Sequence, residues 1–458
     1  MRRKEIMRDL CRFVGFGHGW PLGAALLLGC LLLGADVSQG LPDICGCANN
    51  PNNLSDFDTA NPASYPPGTV TGANGFGGNN ITIPLSADGV LIFKSFTGTR
   101  LPNTPGCCTF ETFILFKRNA ANSPATILVS GDVRLDGGVV LVMNGDDGTG
   151  GSGGINGLGG LGGPGGFRGG DGAYQLVNLA ADGGAGFGPG GGAPGTGSPA
   201  LTKGTNATFV GVPELLPLVG GPGGGGGGSS SNAQNCSGGG GGGGGGGLLL
   251  AANGTITING RMTSDGGASG DTPNAGCASG GGTGSGGAIR LVANRIEGGG
   301  LVLARPGRNC LGCGDSDRGG ARGMIRLEAF ENVLAGDRTD PPASRALAPG
   351  PLVAPITPTV TITRINGQPV PAPPQGGLGK TDLVLAAPGL IPIDIQTAAV
   401  PGGTTVQITV KPRVGGGPVS QSPALSACDG TGVCTTSASF DLPPGEFVIE
   451  AKATFQTP

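Results

Sequence analysis

Apolar residues recur at every second position in short segments set between glycine tracts. Ile127 and Val129, then Leu248, Leu250 and Ala252, then Ile289, Leu291 and Ala293, then Ile325, Leu327 and Ala329 repeat one alternating motif. Period two marks a β-strand with one buried face. These residues are therefore expected on one face, with Arg290 and its equivalent Arg326 on the other. The last three copies start at 248, 289 and 325, which is 41 and 36 residues apart. Units of that length cannot bury an apolar face alone, so they stack. The pattern predicts an all-β chain built on a parallel β-solenoid (β-helix), with equivalent strands paired one coil apart. Upstream, NITIPL, GVLIFKSF and TFILFKRN, between residues 80 and 119, read as further strands.

The glycine tracts change this picture. Ten consecutive glycines, 238–247, run directly into LLLAANGTITINGR, and 100 of the 458 residues are glycine. Glycine has nothing to bury and loses the most backbone entropy on ordering, so an ordered tract must be held by its peptide groups. Extended left-handed threads with three residues per turn, bonded laterally to neighbours, satisfy that demand. In GLGGLGGPGGF, Leu158, Leu161, Pro164 and Phe167 recur every third residue and are expected to line one edge of such a polyglycine II thread. The competing expectation is flexible low-complexity loops hanging from the solenoid.

Composition shifts set the domain expectations. Residues 1–40 read as a signal peptide, with a basic start, an apolar run over 21–34, and Ser38 and Gly40 at the cleavage-site positions. That run falls short of the roughly 20 residues a membrane span needs. Leu27-Leu28-Gly29-Cys30 offers the alternative of a lipid anchor at Cys30. A loop-rich arm is expected over 41–80, the glycine-rich solenoid over 81–340 and a Pro/Ala-rich linker over 341–357. An antiparallel β-sandwich of Ig-like type is expected over 358–458, from TVTITRI, DLVLAA, IPIDIQT, TTVQITVKP, TTSASFDL and EFVIEAKATF.

Composition also narrows the chemistry. Without the first 40 residues, 22 Lys/Arg stand against 27 Asp/Glu, which argues against nucleic acid as a partner. The single histidine, His18, and the single tryptophan, Trp20, both fall in the leader. An exported chain would then lack the imidazole of Ser/His/Asp catalysis and of His-ligated zinc or haem, and no cofactor or metal is expected. Setting aside Cys11 and Cys30 leaves ten cysteines, an even number suited to an oxidising compartment. Cys428 and Cys434 bracket a tight turn and are expected to be bridged, as are Cys310 and Cys313 of NCLGCG. Asp146 and Asp147 in NGDDG could serve as acid and base of a glycosidase, against a solvated turn as the plainer reading.

DGVLIFKSF, then FKRNAANSPATILVSGDVRLDGGVVL, the glycine tracts, GSGGAIRLVANRI and RGMIRLEAF follow in an order that resembles a class of exported, glycine-rich bacterial proteins with solenoid-type repeats, mostly without an assigned activity. The resemblance implies fold and export and brings no catalytic residues. In composition alone, the tracts are similar to those of snow-flea antifreeze protein and of a phage tail-tip adhesin. The expected function is a non-enzymatic, secreted or surface-displayed structural or adhesive scaffold whose partner is a surface polysaccharide or another matrix component. The alternatives are a carbohydrate-active β-helix enzyme using Asp146 and Asp147, and an ice- or mineral-binding surface.

Overall fold

The computed structural model describes residues 42–47, 55–73, 78–102, 111–152, 155–174, 180–197, 201–230, 236–272, 278–309, 318–353, 358–371, 381–412, 417–429 and 432–454. The expected leader with Cys30, and the expected Cys310–Cys313 bridge, lie outside these residues.

The chain is all-β, and no α-helix occurs among the described residues. The strands in order are β1 (Phe57–Asp58), β2 (Val70–Ala73), β3 (Asn79–Pro84), β4 (Val90–Phe93), β5 (Phe96–Gly98), β6 (Thr112–Lys117), β7 (Ala125–Val129) and β8 (Val133–Leu135). Then come β9 (Val139–Val142), β10 (Gly247–Ile258), β11 (Arg261–Thr263), β12 (Ala288–Glu297), β13 (Leu301–Leu303), β14 (Met324–Asn332), β15 (Thr339–Asp340) and β16 (Ser344–Ala346). They form a nine-stranded and a seven-stranded sheet, and the chain passes back and forth between the two. Every pairing in them is parallel except β2 with β3.

The register follows the sequence repeat. In the larger sheet Leu91, Ile127, Leu250, Leu291 and Leu327 stand in one row, each beside the next. In the smaller, Ile81, Ile114, Leu141, Met262, Val302 and Thr339 form another. Both rows are buried, and their apolar members belong to one cluster. A one-residue slip would turn every one of these side chains outward, so burial fixes the register.

Two expected boundaries are corrected. The arm placed at 41–80 contributes β1, β2 and the start of β3. Phe57 of β1 is fully buried and stacks on Phe96 with ring centroids 4.6 Å apart. The linker placed at 341–357 contains β16, which pairs with β14. Both β1 and β16 are edge strands, which cover the open margins that a stack of parallel strands leaves. Strands of two or three residues carry too little periodicity to stand out from loop-like composition.

The C-terminal part holds β17 (Thr359–Ile365), β18 (Gln368–Pro369), β19 (Gly389–Ala398), β20 (Val406–Pro412), β21 (Val419–Gln421), β22 (Val433–Leu442) and β23 (Phe447–Ala453). They form two antiparallel sheets, ordered β18-β17-β19-β22 and β21-β20-β23. Inward residues of both, among them Ile393, Ile395 and Phe440 from one and Val406 and Ile408 from the other, share a single buried cluster. The stretch DLVLAA, expected as a strand, is irregular: Val384 is 77 % exposed and finds no place in that cluster.

Candidate functional site

When the chain leaves the smaller sheet after β9, β11 and β13, it enters glycine-rich sequence before returning to the larger one. Those excursions pack side by side. The segment 238–247 donates all ten of its backbone N–H groups. Gly240, Gly243 and Gly246 donate to Thr149, Asp146 and Met143; Gly238, Gly241 and Gly244 to Ala173, Gly170 and Phe167; Gly239, Gly242 and Gly245 to Ser279, Gly282 and Ser285. Its carbonyls accept from three further segments: from Gly157, Gly160 and Gly163; from Gly221, Gly224 and Gly227; and from Gly267 and Gly270. Partners change with a period of three, which requires a thread turning once every three residues. Six segments surround this thread, some parallel to it and some antiparallel.

The segment 220–228 is enclosed in the same way. It bonds to segment 238–247 and to segments around 167–173, 184–187, 192–195, 202–205 and 279–285. These two buried threads are the two nearly pure glycine tracts, and geometry explains why. A Cβ on any of Gly238 to Gly246 would fall within 3.0 Å of a neighbour's backbone, and a backbone cannot rotate aside as a side chain can. Side chains reappear only where a thread has a free edge: Leu158 and Leu161 point outward, 45 % and 49 % exposed. The expected row ends there, because Pro164 is buried and Gly165, at φ +73°, turns the chain back so that Phe167 opens the next thread.

At the margin, side-chain oxygens replace the carbonyls of a missing outer thread. Thr149 accepts from the Leu158 N–H, Thr205 from Ala193 and Thr202 from Thr196. Amide exchange should therefore be slow across 220–228 and 238–247, comparable with β10 and β12, and faster at the marginal thread 201–208. Exchange monitored by mass spectrometry checks this ranking.

Asp146 and Asp147 belong to this margin. Asp146 forms an ion pair with Arg118, 2.8 Å, whose other terminal nitrogen donates to the Gly162 carbonyl. Asp147 accepts from the Ala268 N–H at 2.7 Å. Each is tied to a different neighbour as a thread clamp. Cys428 and Cys434 lie at disulfide distance with Cα atoms 4.1 Å apart. A further bridge joins Cys45 and Cys47, and Cys236, at the head of the ten-glycine thread, is buried and disulfide-bonded.

Beside the bundle, the outward side chains of β6, β9 and β11 form the floor of a groove of about 520 Å³. Its rows follow the strand register: Phe113, Val140 and Arg261 in one, Leu115, Val142 and Thr263 in the next. Threads leaving β9, β11 and β13 supply the walls, including Asn144, Asp147, Asp265 and Arg305. Asp265 is held by Arg305, 2.8 Å, and more distantly by Arg318, 3.6 Å. Nothing in the sequence marked this groove, because its residues are adjacent only through the pairing of strands far apart in the chain.

The second face of the larger sheet is covered, not solvated. Cys45 and Cys47 pack with Leu249, Ala251 and Val292, and Leu352 lies against the same cluster. Asn253 holds this covering segment by accepting from the Cys45 N–H and donating to Asp43, both at 2.9 Å. Under the cover, Arg290 and Glu328 form a two-pronged pair, both bonds 3.0 Å, with the two residues 1 % and 2 % exposed. Gly350 donates to Glu328 and the Pro351 carbonyl accepts from Arg290, so the pair also fastens the strap that follows β16.

No known protein family, no curated protein and no solved structure matches this chain.

Proposed function

We propose that the chain is an exported, surface-displayed structural or adhesive protein that works as a rigid platform. In this reading the two parallel sheets are the walls of a β-solenoid, and the glycine segments form a polyglycine II bundle that stiffens one flank. The C-terminal sheets form an Ig-like β-sandwich that extends or attaches the platform. Membership of the exported, glycine-rich bacterial class is part of the same proposal.

The observation that carries the reading is the enclosure of 220–228 and 238–247 by hydrogen bonds that are almost all backbone to backbone, with Ser264 and Ser279 adding side-chain bonds at the ends. Such a bundle offers rigidity and a large, regular outer surface, and most of its composition goes into peptide-to-peptide bonding. The engagement of Asp146 with Arg118 and of Asp147 with a thread N–H favours scaffold roles over an acid–base pair. Purified full-length protein, incubated with a panel of polysaccharides, is expected to release no new reducing ends. Release that disappears in the Asp146→Ala/Asp147→Ala variant would end the scaffold reading. Export has its own check: surface-specific biotinylation of producing cells should label the protein, and labelling only after lysis would place it inside.

A further inference from the structure

Where β11 lines the groove across β6, β9 and β11, two of its buried polar atoms have no partner. Thr263 is 7 % exposed, yet its Oγ1 makes no hydrogen bond. The neighbouring Arg261 bonds Glu111 through one terminal nitrogen, while its buried Nε has no partner. A buried hydroxyl or guanidinium N–H left without a bond is costly, and such groups in folded proteins are normally satisfied. Both belong to the outward side of β11, since Met262 between them is in the core, and both line the groove. The site therefore has hydrogen-bonding capacity that the protein itself leaves unused.

The remaining lining defines what could use it. The floor is apolar, with Phe113, Leu115 and Val142 at the level of the strands. The walls carry planar hydrogen-bonding groups, the amide of Asn144 and the carboxylate of Asp147. A ring with an apolar C–H face and polar groups around its rim fits a site of that kind: the face lies on Phe113 and Leu115, and the rim reaches Thr263 and the walls. Arginine is the most frequent charged residue of the lining; Arg305 is engaged by Asp265, whereas Arg261, two residues before Thr263 on β11, bonds Glu111 through a terminal nitrogen and keeps its Nε without a partner. Guanidinium groups favour carboxylate-bearing partners, which they can engage through two parallel bonds.

We propose that this groove binds a linear acidic polysaccharide of uronate type, with Thr263 and Arg261 as its central hydrogen-bonding residues and Phe113 as its stacking surface. The biological use of such binding rests on the adhesive reading above, whereas the site rests on the groove alone. Biolayer interferometry of the immobilised full chain with polygalacturonate, neutral dextran and dextran sulfate tests it. The expected result is binding of polygalacturonate in preference to both others, weakened at least tenfold by Thr263→Val and by Phe113→Ala. Thr263→Val is near-isosteric and removes a hydroxyl that bonds nothing in the protein, so it should leave the melting curve unchanged. No binding of polygalacturonate, equal binding of dextran sulfate, or full binding by folded Thr263→Val would each overturn the proposal. Surface biotinylation judges the adhesive reading independently, so a failed groove and a failed surface assignment give different results.

Discussion

Gly242→Ala is expected to unfold the glycine bundle, although it adds one methyl group to a chain in which 100 residues are glycine. Gly242 donates to the Gly282 carbonyl and accepts from the Gly224 N–H, both at 2.9 Å. A Cβ there would lie closer than 3.0 Å to the backbone of Gly267. Overpacking in a core of side chains costs about 1–3 kcal/mol because rotamers can shift. Here the obstacle is backbone that is itself bonded to other threads, so relief requires separating the threads and breaking bonds worth about 1 kcal/mol each. The expected loss is about 3 kcal/mol or more, read as a lower urea midpoint and as loss of exchange protection across 220–228 and 238–247 together. Leu158→Ser, at a free edge of the same bundle, should change stability by no more than about 0.5 kcal/mol. Equal effects from the two substitutions would mean that the bundle is not close-packed.

This contrast also explains how far the sequence could be read. The strand repeat was legible because Leu250, Leu291 and Leu327 stand at equivalent places in an alternating pattern, and the paired register keeps them there. Leu158 and Leu161 announced a three-residue period, and that period reappears in the hydrogen bonds of Gly157, Gly160 and Gly163. For the pure tracts the sequence left laterally bonded threads and loose loops both open, since nothing within ten identical glycines says how many neighbours surround them. What stayed hidden depends on coverage by distant segments. Arg290 was placed correctly on the face opposite Ile289 and Leu291, but residues 43–47 and 350–352, far from it in sequence, bury that face. The groove was hidden for the same reason: Phe113, Val142 and Thr263 come from three different strands, β6, β9 and β11.

The second large effect is expected at that covered face, from Glu328→Leu. The substitution leaves Arg290 buried without its counter-ion and removes the partner of Arg326, which donates to the same carboxylate at 3.1 Å. Breaking a buried pair in this way destabilises a protein by about 3–5 kcal/mol. The double variant Arg290→Met/Glu328→Leu replaces both charges with apolar groups of similar size and should recover most of that loss. Failure of the double variant to recover would mean that the contacts of Gly350 and Pro351, and not the charge pairing, hold this face together. The pair also sets an acid response. Burial pushes the Glu328 carboxyl upward, but the Arg290 guanidinium, the Gly350 N–H and Arg326 together outweigh it and hold the group below its usual value of 4.5. A depressed carboxylate contributes stability that is fully present above the unfolded value, and the contribution is lost as pH falls through the folded one. Wild-type protein should therefore lose this component below about pH 4, whereas the double variant, having no carboxylate there, should show a flatter profile over the same range. Urea midpoints measured from pH 6 to pH 3 for the two proteins give the comparison, and parallel profiles would show that Glu328 is not linked to folding.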